Sequence, residues 1–377
     1  MGAAAIDRNR ALIKQLSPSP GGGAADTRDV SAQRAPATVA KGSEMGNIVK
    51  QIVVVVLVGC GGAEAPAGEA GATHVASVAG TPQRAEAAGP ELYGAGLFST
   101  GARDMFIAFA PDQRRALLSR GDPQLATFET FETRLDDQGH WSSPVKPRFA
   151  RSWSTADPHI APDGRTVFFL STRPNPGETT VRATHDIWFA TLDERGEWGE
   201  AQHLPSPVND PARDEWGPAV AANGNLYFSS DRPGTRGGTD LWVARLVDAV
   251  YQTPENLGDM INTPAHEFEA WIAPDESYLL FSALHRAGGA GGYDLFLSRR
   301  RDGQWERAQP ITAVNTAASE YNESVSPDGQ WLYFSSTRPY AGALGERFDV
   351  PRDAAAVAGI GNGNDDVYRL PMKRLGL

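Results

Sequence analysis

Five acidic or hydroxyl side chains, Asp104, Thr155, Glu215, Glu267 and Glu320, each stand eight residues before a tight-turn marker. The residues that follow them are Met105, Ala156, Trp216, Phe268 and Tyr321, and Asp157, His266, Glu269 and Glu323 lie close by. Carboxylates bind cations, amines or sugar hydroxyls, and aromatic rings offer flat stacking area. Crowded carboxylates also raise one another's pKa, so two of them could work as an acid/base pair. The same residues would serve equally as packing between repeated units with a solvated acidic rim. Both readings stay open at this point.

Other chemistries lack their residues. No Gly-x-Ser-x-Gly elbow occurs. His266-Glu267-Phe268-Glu269-Ala270 lacks the second His of a zinc helix and sits in a strand context. His159 and His185 fall in one unit and His266 and His285 in another, without metal-ligand spacing. Gly288–Gly292 lacks the Lys-Ser/Thr of a phosphate loop. Asn362, Asn364 and Asp365 put oxygen side chains in one Gly-rich loop, a weak Ca²⁺ candidate whose spacing is not that of an EF-hand. No other cofactor is expected.

The elements that must position these residues are repeats. Asp112, Asp163, Asn223, Asp275 and Asp328 mark turns 51, 60, 52 and 53 residues apart. Asp-Gly and Asn-Gly allow the positive φ of tight hairpins. Each turn leads into an apolar run such as Thr166–Ser171, Leu226–Ser230 or Leu332–Ser336, then a loop holding Arg120, Arg173, Arg232, Arg286 or Arg338. A third strand follows, opening on Asp186, Asp240, Asp294 or Asp366, with Glu129 in the degenerate first unit, and a fourth closes near Asn209, Asn262 and Asn315. Arg173 with Asp186, Arg232 with Asp240 and Arg338 with Asp366 flank the same loop, so an ion pair or loop-backbone bonds are expected to fix its shape. A role repeated in every unit is architectural.

Four short strands in roughly 54 residues, repeated five times, cannot bury both faces alone, and radial packing solves this. The expected fold is therefore an all-β propeller of about five four-stranded antiparallel blades, six being the alternative. With the first strand innermost, the acids and aromatics above would ring one mouth of the central channel. The fifth unit ends on its third strand, and Leu92 to Phe98 is expected to supply the missing outer strand and so close the ring.

The set Ser326-Pro327-Asp328-Gly329, then Leu332-Tyr-Phe-Ser-Ser336 with Arg338-Pro339, then Asp-Leu-Trp at 240–242, resembles the TolB-like, WD-repeat-like propeller repeat of bacterial periplasmic proteins. The resemblance covers residues 92–377 and is best over 211–340. TolB-like propellers are often six-bladed, whereas five units are counted here. It implies a binding or scaffolding module with an envelope protein or glycan as partner. The rival class is a glycan-active hydrolase or lyase using carboxylates at the mouth.

Of 377 residues, 41% are hydrophobic and 21% charged, which excludes wholesale disorder and a polytopic membrane protein. Forty Gly and 27 Pro disfavour a helical bundle. A net charge of −11 argues against a nucleic-acid partner. Residues 1–44 show no periodicity. Met45 then opens a short segment with Lys50 and the apolar run Ile52–Val58, too short to span a bilayer. Leu57-Val58-Gly59-Cys60 resembles the bacterial lipobox and makes Cys60, the sole cysteine, the expected lipidation site at the end of a 45–60 signal peptide. Residues 61–90 read as a Gly/Ala-rich tether and 91–377 as the propeller. Residues 1–60 carry seven basic and four acidic side chains; without them 28 Lys and Arg face 42 Asp and Glu, a net −14. Acyl chains rather than charge would then hold the protein at the membrane. Gly61 after the cysteine leans towards the outer membrane, facing the periplasm or the cell surface. A monomer is expected.

Overall fold

The computed structural model describes residues 89–340 and 359–377. Cys60 and the segments 1–44, 45–60 and most of 61–90 lie outside the described residues.

The described chain is all-β: five small antiparallel sheets form a five-bladed propeller. Blade 1 is built from Arg103–Phe109, Arg115–Gly121 and Phe128–Arg134, and a bridge from Glu132 to Val145 stands where a fourth strand would be. Blade 2 is Thr155–Ile160, Thr166–Ser171, Asp186–Thr191 and Gln202–His203. Blade 3 is Glu215–Val220, Leu226–Ser230, Asp240–Ala244 and Glu255–Asn256. Blade 4 is His266–Ile272, Tyr278–Leu284, Tyr293–Arg301 and Gln309–Pro310. Blade 5 is Glu320–Val325, Trp331–Ser336 and Asp366–Pro371, and its outermost strand is the N-terminal Glu91–Leu92. Glu91 faces Arg369 and Leu92 faces Tyr368 in antiparallel register. The expected closure by the N-terminal piece is what the molecule uses, though the paired segment begins at Glu91 and is two residues long.

Each first strand touches the first strand of the next blade, and that of blade 5 touches that of blade 1, so the five surround an axis. Five apolar clusters fill the five seams. Between blades 3 and 4, Tyr227, Leu241 and Val243 meet Ile272, Leu279 and Phe281. Between blades 5 and 1, Tyr333 and Val367 meet Ile107, Leu118 and Trp141. Because both faces of a blade are covered, the second strands Thr166–Ser171 and Leu226–Ser230 are buried at every residue.

The asparagines that close three units have a shared geometry. Asn209 accepts from Ile187 N–H at 2.8 Å and donates to the Ile187 carbonyl at 2.9 Å. Asn262 does the same with Leu241 at 2.8 and 2.9 Å, and Asn315 with Leu295 at 2.9 and 3.0 Å. Each side-chain amide imitates a strand neighbour at the point where the chain leaves the blade edge, taking up the strand N–H and sharing its carbonyl with a backbone N–H of the outer segment.

Candidate functional site at the propeller axis

The first strands share a feature that the sequence pattern did not reveal. Phe106, Asp157, Gly217, Glu269 and Asn322, each two residues after the aligned acid or threonine, have φ of +37, +50, +53, +50 and +58°. Each sits in a register shift against the second strand. A bulge leaves an N–H without its ladder partner, and side chains of neighbouring blades take up several of these. Gly217 N–H donates to Asp157 at 3.3 Å, Asn322 N–H donates to Glu269 at 2.9 Å, and Glu269 N–H donates to the Ser229 hydroxyl at 3.0 Å. One signal was present: Asp157, Gly217 and Asn322 are residue types that tolerate left-handed backbone.

Asp157, Glu269 and Glu323 therefore converge on the axis from blades 2, 4 and 5. Glu323 is 1% exposed, and neither of its carboxylate oxygens has a hydrogen-bond partner among the described residues. Burial, then the negative charges of Glu269 and Asp157, pushes its pKa well above the usual carboxylate range. Burial, with Asp157 beside it, raises Glu269 to about 8. Asp157 is raised to about 6, also by burial, with Gly217 N–H pulling the other way. At neutral pH Glu323 and Glu269 are thus held protonated while Asp157 is largely ionised, which is how three acids can share one small volume.

Half-buried rings lie next to this trio. Trp216 and Phe268 stand 5.9 Å apart edge-on, Phe268 and Tyr293 5.9 Å, Tyr293 and Tyr321 5.5 Å. His185 adjoins Trp216 at 6.4 Å, and the His266 ring stacks on Phe268 at 5.9 Å with 3° between planes. Tyr293 and Tyr321 both feel the Glu269 charge, and Asp157 feels His185. The arc of rings crosses blades 2 to 5 beside the acids.

The aligned acids are elsewhere. Asp104, Glu215, Glu267 and Glu320 are 0–1% exposed and do not ring an opening. Arg120 pairs with Asp104 at 2.8 Å, Arg232 with Glu215 at 2.8 Å, Arg286 with Glu267 at 3.2 Å and Arg338 with Glu320 at 3.0 Å. Burial raises Asp104, Glu215 and Glu267 and the facing guanidinium pulls each back. The same arginines donate to the carbonyls of Leu97, Val208, Ile261 and Val314 in the preceding chain segment. Three lie over two rings each, as Arg232 does over Phe228 and Trp242. Each is a staple holding one blade to the chain that enters it.

Of the two expected ways of fixing the loop, the structure uses loop-backbone hydrogen bonds in blades 3 and 5 rather than the arginine–aspartate ion pair. Arg173, Arg232 and Arg338 do not pair with Asp186, Asp240 and Asp366. Those aspartates face their own loops: Asp240 accepts from the N–H groups of Arg236 and Gly237 at 2.8 and 3.2 Å, and Asp366 from Gly361 at 2.8 Å. Asp186 pairs with Arg182 at 3.2 Å and His203 at 2.6 Å. In blades 3 and 5 the loop bends its amides onto the aspartate at its end, and the longer arginine reaches back to the first-strand glutamate.

In the last blade's loop, Asp365 is buried and pairs with Arg103 at 2.7 Å and with the Tyr321 hydroxyl. Asn362 and Asn364 turn their amide nitrogens to the Gly101 carbonyl at 3.3 and 3.4 Å. Among the described residues no group of three or more His, Cys, Asp or Glu is placed to hold a metal ion.

Fold and site together define a five-bladed β-propeller with an acidic axis flanked by aromatic rings. No protein-family model and no curated protein matches the chain. Among solved structures it is similar to an α-L-arabinofuranosidase from Lactobacillus brevis, at 14% identity over 74% of this chain and 92% of that one, TM-score 0.42. It is similar to a gluconolactonase from Xanthomonas campestris, at 14% identity over 65% and 91%, TM-score 0.38. It also resembles part of a prolyl endopeptidase, 17% identical over 62% of this chain, TM-score 0.34, and spans 31% of that protein's length.

Proposed function

We propose that this chain is a TolB-like, lipid-anchored envelope propeller that binds a glycan at its aromatic arc without transforming it. The observation that carries the reading is the row of half-buried rings, Trp216, Phe268 and Tyr293, beside the buried carboxyl of Glu269. Ring faces take the apolar side of a sugar, and a neutral Glu269 can donate to a hydroxyl. One oxygen of each carboxyl, Asp157 Oδ2 and Glu269 Oε2, is already engaged by a bulge N–H, which favours holding a ligand over attacking one.

Affinity capture of glycans from solubilised envelopes, comparing wild type with a Trp216→Ala/Phe268→Ala variant, tests this. Equal recovery by both would refute it. Anchoring is tested separately by Cys60→Ser, which should abolish incorporation of labelled fatty acid.

A second reading, glycan hydrolysis, is favoured by one observation: Asp157 at about 6 beside Glu269 at about 8 is a base and an acid held apart in pKa. Release of reducing ends by wild type, lost in Glu269→Gln, would establish it in place of simple binding.

A further inference from the structure

The arginine staple is broken in one blade. Where blades 1, 3, 4 and 5 carry Asp104, Glu215, Glu267 and Glu320, blade 2 carries Thr155. Its arginine, Arg173, is nevertheless buried at 7% exposure. Arg173 keeps the rest of the motif: Nη2 donates to the Phe149 carbonyl at 2.8 Å, Nε donates to Ser171 Oγ at 3.0 Å, and the guanidinium lies over Phe169 and Trp188. No carboxylate among the described residues pairs with it, and its Nη1 donates to none of them. The Thr155 hydroxyl, in register with Ser171, is buried and without a hydrogen-bond partner among the described residues.

Burying an unpaired charge is costly, and the usual remedy is a counter-charge. Here a cleft of about 330 Å³ opens on Arg173 from the blade edge, a size at the small end for ligand sites. Trp153, 40% exposed, and Trp188, whose ring N–H has no partner among the described residues, give it aromatic walls. Arg148 lies at the rim, paired with Glu200 at 2.5 Å. Two guanidiniums and one carboxylate leave the cleft net positive on a chain whose net charge is −11. The corresponding cleft of blade 3 has Arg232 on its wall, but there Glu215 already neutralises the arginine.

We propose that the blade 2 cleft is a binding site for a small carboxylate with a ring-shaped or apolar body, the ligand's carboxylate supplying Arg173 with the partner that Thr155 cannot. The fork of a guanidinium suits a carboxylate better than a spherical anion. The body then rests against Trp153. This site is separate from the axial arc and stands or falls independently of it.

Calorimetric titration of the full chain with benzoate and with glucuronate, against benzyl alcohol, methyl glucoside and chloride, is the test. One or both carboxylates should bind wild type, and which one does identifies the body as aromatic acid or sugar acid. The three controls should give no heat. Thr155→Glu, which builds the carboxylate of the other blades into blade 2, should weaken binding about tenfold or more, the scale of one charge-assisted hydrogen bond. Thr155→Gln, similar in size but neutral, should bind as wild type does. The exposed Trp153→Ala, which cannot unfold a core, should also weaken binding and decides the matter if Thr155→Glu fails to fold. Equal heats from carboxylates and neutral controls, or undiminished carboxylate binding by Thr155→Glu or Trp153→Ala, would overturn the proposal.

Discussion

Gly217→Ala should be among the most damaging single-methyl changes in the molecule. Gly217 has φ +53°, and a Cβ there would lie 2.5 Å from Glu269 Cα and 3.0 Å from Glu269 N. Left-handed backbone costs a residue with a side chain roughly 1–2 kcal/mol. Backbone atoms of the neighbouring blade cannot swing aside as a flexible side chain would, so overpacking adds roughly 1–3 kcal/mol. The sum, about 2–5 kcal/mol, corresponds to a drop in Tm of about 5–15 °C for a domain of this size. Gly329→Ala separates the two contributions: its φ is +71°, yet nothing lies within 4 Å of the added methyl. It should lose only the conformational part, about 3–6 °C. Thermal unfolding of both variants side by side is the assay. If Gly217→Ala melts no lower than Gly329→Ala, the close approach of blades 3 and 4 at the axis is not real and the axial cluster must be redrawn.

Stability should fall as pH rises. Glu269 and Asp157 have folded pKa values of about 8 and about 6, above the ordinary carboxylate values of an unfolded chain. The unfolded state therefore releases protons first, and the contribution of these groups is complete below about pH 4 and lost progressively up to about pH 8. Tm measured across that range should decline, and Glu269→Gln should flatten the decline; an unchanged slope would contradict the assignment. Asn262→Ala should cost about 1–3 kcal/mol in denaturant unfolding, because it orphans the buried N–H of Leu241, while the Leu241 carbonyl keeps the Leu257 N–H. Leu92→Ala should cost about 2–4 kcal/mol, since Leu92 is 3% exposed and packs in the seam of the last two blades; a cost below 1 kcal/mol would mean that the N-terminal strand is not what closes the ring.

The blades were legible because their signals are local and repeated. Turn residues, apolar runs and the closing asparagines recur at nearly constant spacing, and only radial stacking buries five such sheets. The seam was legible from arithmetic: the fifth unit lacked a strand and Leu92 stood unassigned. What the pattern hid was direction. Spacing aligned Asp104, Glu215, Glu267 and Glu320 but could not say that their carboxylates point between blades onto arginines, because the arginine belongs to a different strand and its reach is set by packing. The bulges were hidden for the same reason: Phe106 and Glu269 adopt positive φ against their own preference, held there by the crowded axis. Four ring-bearing residues of the expected mouth, Trp216, His266, Phe268 and Tyr321, do lie in one arc, joined through Tyr293. Their acidic neighbours at the axis are Asp157, Glu269 and Glu323, the residues that the repeat alignment treated as secondary.

The strand Glu91–Leu92 pairs with Tyr368 and Arg369, some 277 positions further along. During synthesis the first blade is complete long before its neighbour across the seam exists, so the beginning of the domain must wait, unpaired, for the last residues to emerge. Loss of the strand Asp366–Pro371 would both bare the edge of Trp331–Ser336 and undock Glu91–Leu92 from the last blade. The price of that long wait in chain entropy grows only slowly with length, whereas the reward is a circle in which neither end can fray without the other.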